Sequence, residues 1–550
     1  MHMRIVFILV VLMATCAAQP ARAQVETAHE RALAASNYFL TSENCIACHS
    51  TLHSDSGEDI SIGYNWRSSM MANSARDPYW QAGVRRESMD HPMAREAIED
   101  KCSTCHMPMD RFAAAAEGGR GHVFANLDVL KSEAPFVFDG VSCTVCHQIT
   151  PENFGEKSSF DGGFEIDTSR PAGERVIYGP YDVDDGLQQV MHSAGTFTPQ
   201  NGPHLRESEL CGTCHTLFTQ TLNADNEVIG EFAEQMPYVE WLHSGYRETN
   251  SCQDCHMPKV DAPTPITSVL GEPRPQLSRH VFRGGNAFML GLLNRYRAEL
   301  GVVALPQELD AGIRRTRDFL GTSTASVSIE SARVDAGRLT FEVAVENLAG
   351  HKLSTAYPSR RVWLHVTVAD FAGRVVFESG ALNPNGSIAG NDNDADGGRF
   401  EPHYDVIERP DEVQIYEPIM VDERGDVTTG LLSSARYIKD NRLLPRGFDK
   451  AGAPDEVAVY GAAAGDADFV AGGDRVAYRV ALTSTGEPLT VTAELQYQSI
   501  GFRWAENLKA YDAPEPNRFV RYYEASAGNT AVRLAADSMT VDSRSAPASR

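Results

Sequence analysis

Two regimes of hydrophobic patterning divide the chain. From residue 24 to about 300, apolar positions recur at helical spacing only in short runs, such as HERALAASNYFL, MAREAIEDK and GNAFMLGLLNRYRAEL. Long polar loops with Gly and Pro separate them, as at 151–175. Residues 301–322 predict a helical connector. Beyond it the period changes from helix to strand. SVSIESARVDAGRLTFEVAVENL alternates apolar and polar around an Asp-Ala-Gly turn and predicts a hairpin. VWLHVTVADFAGRVVFESG, RVAYRVALTS and LTVTAELQYQSIG repeat that pattern. Several short strands at this spacing predict an all-β sandwich of immunoglobulin-like type over 323–525. The Ala/Ser/Asp-rich residues 526–550 predict a flexible tail.

The first 23 residues belong to neither regime. A short basic start precedes the apolar run Ile5–Met13, and Ala21-Arg22-Ala23 offers a small-residue cleavage site. This predicts a secretory signal peptide cut after Ala23, and so a periplasmic or extracellular protein. The rival reading is a lipoprotein signal at Cys16, for which Thr15 is a poor neighbour. No later segment has the apolar length to cross a bilayer. The net charge of −25 argues against nucleic acid as a partner.

Ten of the eleven cysteines fall in five Cys-x-x-Cys pairs, each followed directly by His. They are Cys45/Cys48/His49, Cys102/Cys105/His106, Cys143/Cys146/His147, Cys211/Cys214/His215 and Cys252/Cys255/His256. Disulfides are compatible with export but leave the five histidines unexplained. A zinc ribbon does not require His after the second Cys every time. The string is the c-type haem attachment signal, with two thioether sulfurs and a proximal imidazole. Five strings predict five covalently attached haem c groups on residues 24–300, a mainly α and irregular domain whose macrocycles supply apolar core.

The segments around the motifs repeat. CSTCHMP at 102–108 returns as CQDCHMP at 252–258. His122-Val123-Phe124 follows the first, and His280-Val281-Phe282 follows the second. WRSS at 66–69 precedes the first and WLHS at 241–244 the second. The order is that of a duplicated, degenerate two-haem module around a central haem at Cys143. In these motifs residues 40–300 resemble the cytochrome c-554 family of multihaem c-type cytochromes. That resemblance implies a distal His two residues after Trp-x-x-Ser. Here the matching residues are Met71 and Tyr246, both departures. Thioether sulfur is a good haem ligand, so Met71 remains a candidate.

Further distal ligands must come from the twelve histidines outside the motifs. His122 and His280 lead, because they occupy equivalent places in the two halves. His204 follows Gly-Pro and sits seven residues before Cys211. His192 is next, with His243, His91 and His53 behind it. His351 lies in GHKLSTAYPSRR between predicted strands. Related multihaem cytochromes carry a similar loop, and from there it is placed to reach back to a haem and lock the domains together. A plain surface loop is the other reading. In NDNDADGG, Asp392, Asp394 and Asp396 start like a calcium loop, but the twelfth position is His403, so an EF-hand fails. A solvated acidic loop is the alternative to calcium there.

Five haems within about 210 residues must lie close enough to pass electrons. The expected function is an electron relay between redox partner proteins, whose docking faces would be basic. The alternatives are an oxidoreductase with one open iron acting on a small nitrogen or sulfur compound, and a surface-docking structural cytochrome. The Cys-x-x-Cys-Lys attachment of nitrite reductases is absent. Replacing Cys45 and Cys48 together by Ser is expected to lower the haem content from five to four per chain, read from haemochromogen absorbance.

Overall fold

A computed structural model describes residues 28–128, 133–483 and 487–542. The segment expected to be a signal peptide, with Cys16, and the last eight residues lie outside the described residues.

Up to residue 300 the described chain is built of short helices, the longest being Pro78–Asp90, with three small two-stranded sheets of which Leu217–Leu222 with Val228–Gln235 is the largest. Asp77 caps that helix by accepting from the Tyr79 and Trp80 backbone N–H groups, with Pro78 at its first position. Tyr79 and Ala82 join Phe288, Leu292 and Leu293 of helix Ala287–Arg295, and Leu309 of helix Pro306–Ser323, in one core. Among the described residues no helix is long and apolar enough to cross a membrane.

Beyond helix Pro306–Ser323 the chain forms two principal sheets. One has four strands, in the order Val406–Ile407, Gly473–Ala481, Arg338–Asn347, Ala325–Asp335. The other runs Val375–Ser379, Arg361–Ala369, Leu489–Gln498, Ala531–Val541, with Ile415–Tyr416 also on Arg361–Ala369. Alternate residues point inward, as the period of two requires. Leu339, Phe341, Val343 and Val345 from one sheet meet Val362, Leu364, Val366 and Val368 from the other in a shared core. Trp363, on the opposite face of its strand, is covered by Ile388, Val413 and Ile415.

The expected tail requires a correction. Ala531–Val541 pairs antiparallel with Leu489–Gln498 along its whole length. Its alternation is weak in sequence because Ala535, Ala536 and Asp537 interrupt it, leaving Leu534 and Val541 as the fully buried apolar contacts. The chain also returns to the first half before that strand. Helix Pro514–Glu524 packs on helix Pro78–Asp90, with Glu515 2.8 Å from Arg85 and the Tyr511 hydroxyl donating to Asp90. Residues 502–524 therefore belong as much to the first half as to the sheets.

Leu534→Ala is expected to cost about 2–5 kcal/mol, the range for emptying a buried Leu site. Arg533→Ala, which loses only an exposed pairing with Glu494, should cost less than about 1 kcal/mol. Chemical denaturation of both variants checks this; equal, small effects would restore the flexible tail.

Candidate functional site

Each Cys-x-x-Cys-His string occupies one helical turn. Cys143–Cys146 and Cys252–His256 are helices, and the second string ends helix Arg95–His106. In the first, third and fourth strings the His backbone N–H donates back to the first Cys carbonyl, at 2.9, 3.0 and 2.9 Å. Residues i, i+3 and i+4 of a helical turn share a face, so both thiols and the imidazole point to one side. All ten thiols are free and half-buried. Strings far apart in sequence adjoin in space. Cys45 and Cys143, Cys105 and Cys214, and Cys211 and Cys252 lie within hydrogen-bonding reach.

Four of the five imidazoles are turned by a backbone carbonyl. Nδ1 of His49 donates to Ile266 at 2.7 Å, His106 to Ser74 at 3.0 Å, His147 to Tyr178 at 2.7 Å and His256 to Arg283 at 2.6 Å. A ring nitrogen against a carbonyl oxygen must carry the proton, which leaves Nε2 with a free lone pair. Burial depresses all five imidazole pKa values, His106 and His256 to about 4. The rings are therefore neutral, as a metal ligand requires. Thiols, imidazoles and tautomers fit covalently bound haem c, with the ten cysteines as attachment points and the five histidines as proximal ligands.

Two further imidazoles face the motif rings. His280 lies 6.2 Å from His147 between ring centres, the planes 15° apart. His351 lies 6.3 Å from His256, the planes 13° apart. A metal–imidazole bond is about 2 Å and the ring centre lies roughly 1.2 Å behind the bonding nitrogen, so two imidazoles on opposite sides of one metal would have centres about 6.4 Å apart. Direct stacking is much closer, as Trp80 shows on His106 at 4.3 Å and 2°. Both partners also put Nδ1 against a carbonyl, His280 on Ser278 at 3.1 Å and His351 on Lys352 at 3.0 Å. Burial lowers the His280 pKa to about 3.

The other sequence candidates sit differently. His122 is exposed while Val123 and Phe124 beside it are buried. His192 is exposed on helix Asp185–Gly195, its Nδ1 3.5 Å from the Thr198 hydroxyl. His204 is buried, but its Nε2 donates to the Ile149 carbonyl at 2.9 Å. Met71 is half-buried at the start of the segment whose Ser74 carbonyl holds His106. Tyr246 donates its hydroxyl to the Leu348 carbonyl at 2.8 Å. His53 is exposed, His91 is buried against Ser433, and His243 encloses an Nδ1 that has no hydrogen-bond partner.

The calcium expectation is corrected. Asp392–Ala395 is a helical turn, so the alternate carboxylates diverge instead of converging. Asp394 forms a two-point pair with Arg361 at 2.8 Å on each oxygen, Asp392 pairs with Arg399, and Asp396 accepts from Gly398. His403, Asp466 and Asp474 do converge. Yet Nδ1 of His403 accepts from the Gln414 and Asn441 amides, whose oxygens are fixed by the Tyr404 and Glu417 backbone N–H groups. Nε2 thus carries the proton, donates to Asp466 at 2.9 Å, and has no lone pair for a cation.

No protein-family model matches the chain, and no curated protein does. A solved structure does match, the crystal structure of a penta-heme cytochrome c552 from Thermochromatium tepidum. The TM-score is 0.52 at 16% identity, over 91% of this chain and 98% of that one. At this identity the likeness is one of fold, and the fold is that of a multihaem c-type cytochrome.

One buried acid near the motifs carried no sequence signal. Glu234 is 5% exposed and accepts from the Thr219 hydroxyl at 2.6 Å and Gln235 at 3.1 Å. Burial pushes its carboxyl up to about 7. Below the ordinary carboxylate range both folded and unfolded forms are protonated, and there is no penalty. As pH rises toward 7 the unfolded form ionises first, so a penalty grows to about 3 kcal/mol. Glu234→Gln is expected to raise Tm above pH 7, with the gain vanishing below about pH 4.5. A gain independent of pH would show that burial does not raise the carboxyl above its ordinary range.

Proposed function

We propose that this chain is an exported pentahaem c-type cytochrome, patterned like the cytochrome c-554 family and extended by an immunoglobulin-like sandwich, that relays electrons between redox partners. Haem attached at each motif supplies one-electron iron chemistry. The chain's own contribution is to crowd five attachment turns together and to fix the second ligand where it fills the coordination shell. The observation that carries this reading is the pair of facing imidazoles, His147 with His280 and His256 with His351. A filled shell admits no substrate, which suits transfer rather than turnover. The net charge of −25 favours partners with basic docking faces.

The oxidoreductase reading rests on a different observation. Among the described residues, His49, His106 and His215 have no facing imidazole at that separation, and His215 also has no carbonyl on its ring. Ligands such as Met71 would close some of these positions.

Electron paramagnetic resonance of the oxidised protein, followed by carbon monoxide addition to the reduced protein, separates the two. The relay reading expects low-spin signals and no carbon monoxide shift. A high-spin signal with such a shift would move the oxidoreductase reading ahead. In the same measurement His280→Ala is expected to turn one haem in five high-spin, whereas His122→Ala should leave the spectrum unchanged.

A further inference from the structure

His351 reaches His256 from the far side of a domain boundary. It lies between strands Arg338–Asn347 and Arg361–Ala369, in a loop that crosses to the first half of the chain. Lys352, next in sequence, is fully buried, with Nζ 2.7 Å from Asp440 and 2.9 Å from the Ala458 carbonyl. Arg442 grips the same Asp440 by two nitrogens, at 2.9 and 2.7 Å. These groups come from the β-rich half.

The fourth charge comes from the first half. Glu240, on helix Pro237–Leu242, is 0% exposed. One oxygen lies 3.0 Å from Arg442, an ion pair without hydrogen-bond alignment. The other accepts from the Lys352 backbone N–H at 3.1 Å and from the Thr355 hydroxyl. Two cations and two carboxylates balance, which a buried cluster needs. The same loop is held beside them. Tyr246 donates to Leu348, and a Cβ on Gly350 would meet Tyr246 Cβ at 3.3 Å.

We propose that Glu240 is the positioning residue that sets His351 against His256 as the second axial ligand of the haem attached at Cys252 and Cys255. This rests on the haem-ligand reading above. Glu240 binds the loop at two points just after His351, the Lys352 N–H and the Thr355 hydroxyl. It holds the N–H of Lys352, whose carbonyl in turn receives Nδ1 of His351. Without the carboxylate, two buried cations face one Asp440, and the Lys352 N–H and Thr355 hydroxyl lose their acceptor. The loop must then shift, and a ring held at ligand distance does not tolerate that.

The test uses the full-chain holoprotein and counts high-spin haem by electron paramagnetic resonance, with haem content and Tm as controls. His351→Ala is expected to convert one haem in five to high-spin, with free imidazole restoring the low-spin signal. Glu240→Gln is expected to give the same conversion with His351 intact, again reversed by imidazole, while Glu240→Asp retains part of the low-spin signal. If His351→Ala converts a haem and a folded Glu240→Gln does not, the positioning role falls and the ligand reading stands. If His351→Ala converts none, the ligand reading itself falls. Should Glu240→Gln fail to fold, Thr355→Val removes one of the bonds that Glu240 makes to the loop. It is expected to raise the high-spin fraction, and no change in it overturns the proposal.

Discussion

Hydrogen bonds from imidazole Nδ1 to backbone carbonyls organise the first half of the molecule. Ile266, Ser74, Tyr178 and Arg283 supply the carbonyls, and His49 reaches across 217 residues to find its own. Each bond does two jobs. It fixes the tautomer, so that Nε2 is the free nitrogen, and it pins an otherwise irregular segment against a motif. That is how long loops with little regular structure keep a defined path. These four carbonyls find a donor in a motif imidazole, while other loop groups pair backbone to backbone, as Thr150 does with Glu165 and Ser268 with Cys48.

This arrangement sets what sequence can and cannot reveal. Five Cys-x-x-Cys-His strings were legible because their chemistry is local, contained in one helical turn. The strands Ala325–Asp335 and Arg338–Asn347 were legible because alternation is local too. The carbonyl partners were not, since every residue has a carbonyl. Nor was the surface position of His122. The internal repeat made it equivalent to His280, but His280 faces His147, a motif that precedes its own half of the repeat. His122 is exposed and, among the described residues, is not set against a motif ring in this way. The acidic loop misled for a related reason. Alternate Asp residues converge only where the loop wraps around an ion, and here Arg361 takes Asp394 into a buried pair within a helical turn.

The boundary between the halves is also a product of buried polar chemistry. Patterning divides the chain near residue 300, but the packing does not respect that division. Met236 of the first half enters the core between the sheets, and Phe519, Tyr522 and Tyr523 enter the core of the first half. Between these exchanges sits the cluster of Lys352, Asp440, Arg442 and Glu240. The field of Arg442 and Lys352 holds the Asp440 carboxyl well below the usual carboxylate range, and Asp440 raises the Arg442 guanidinium in return. Such clusters contribute little net stability, because desolvation offsets most of the attraction. What they supply is geometry, since any displacement strands a charge.

That geometry gives a physical account of the odd tyrosine. The resemblance to multihaem cytochromes implies a histidine at position 246, reaching iron from within the repeat. Tyr246 instead binds Leu348 and lies against Gly350, at the base of the loop that presents His351. An imidazole at 246 could not make that phenol bond. On the proposed ligation, an imidazole delivered from the sheets would make a ligand within the repeat unnecessary for the His256 site. Tyr246, where the resemblance implies a ligand, thus holds the loop that carries His351. The first half of the repeat has Met71 at the equivalent place and meets no such loop. Through His351 the β-rich half thus reaches the ring of His256.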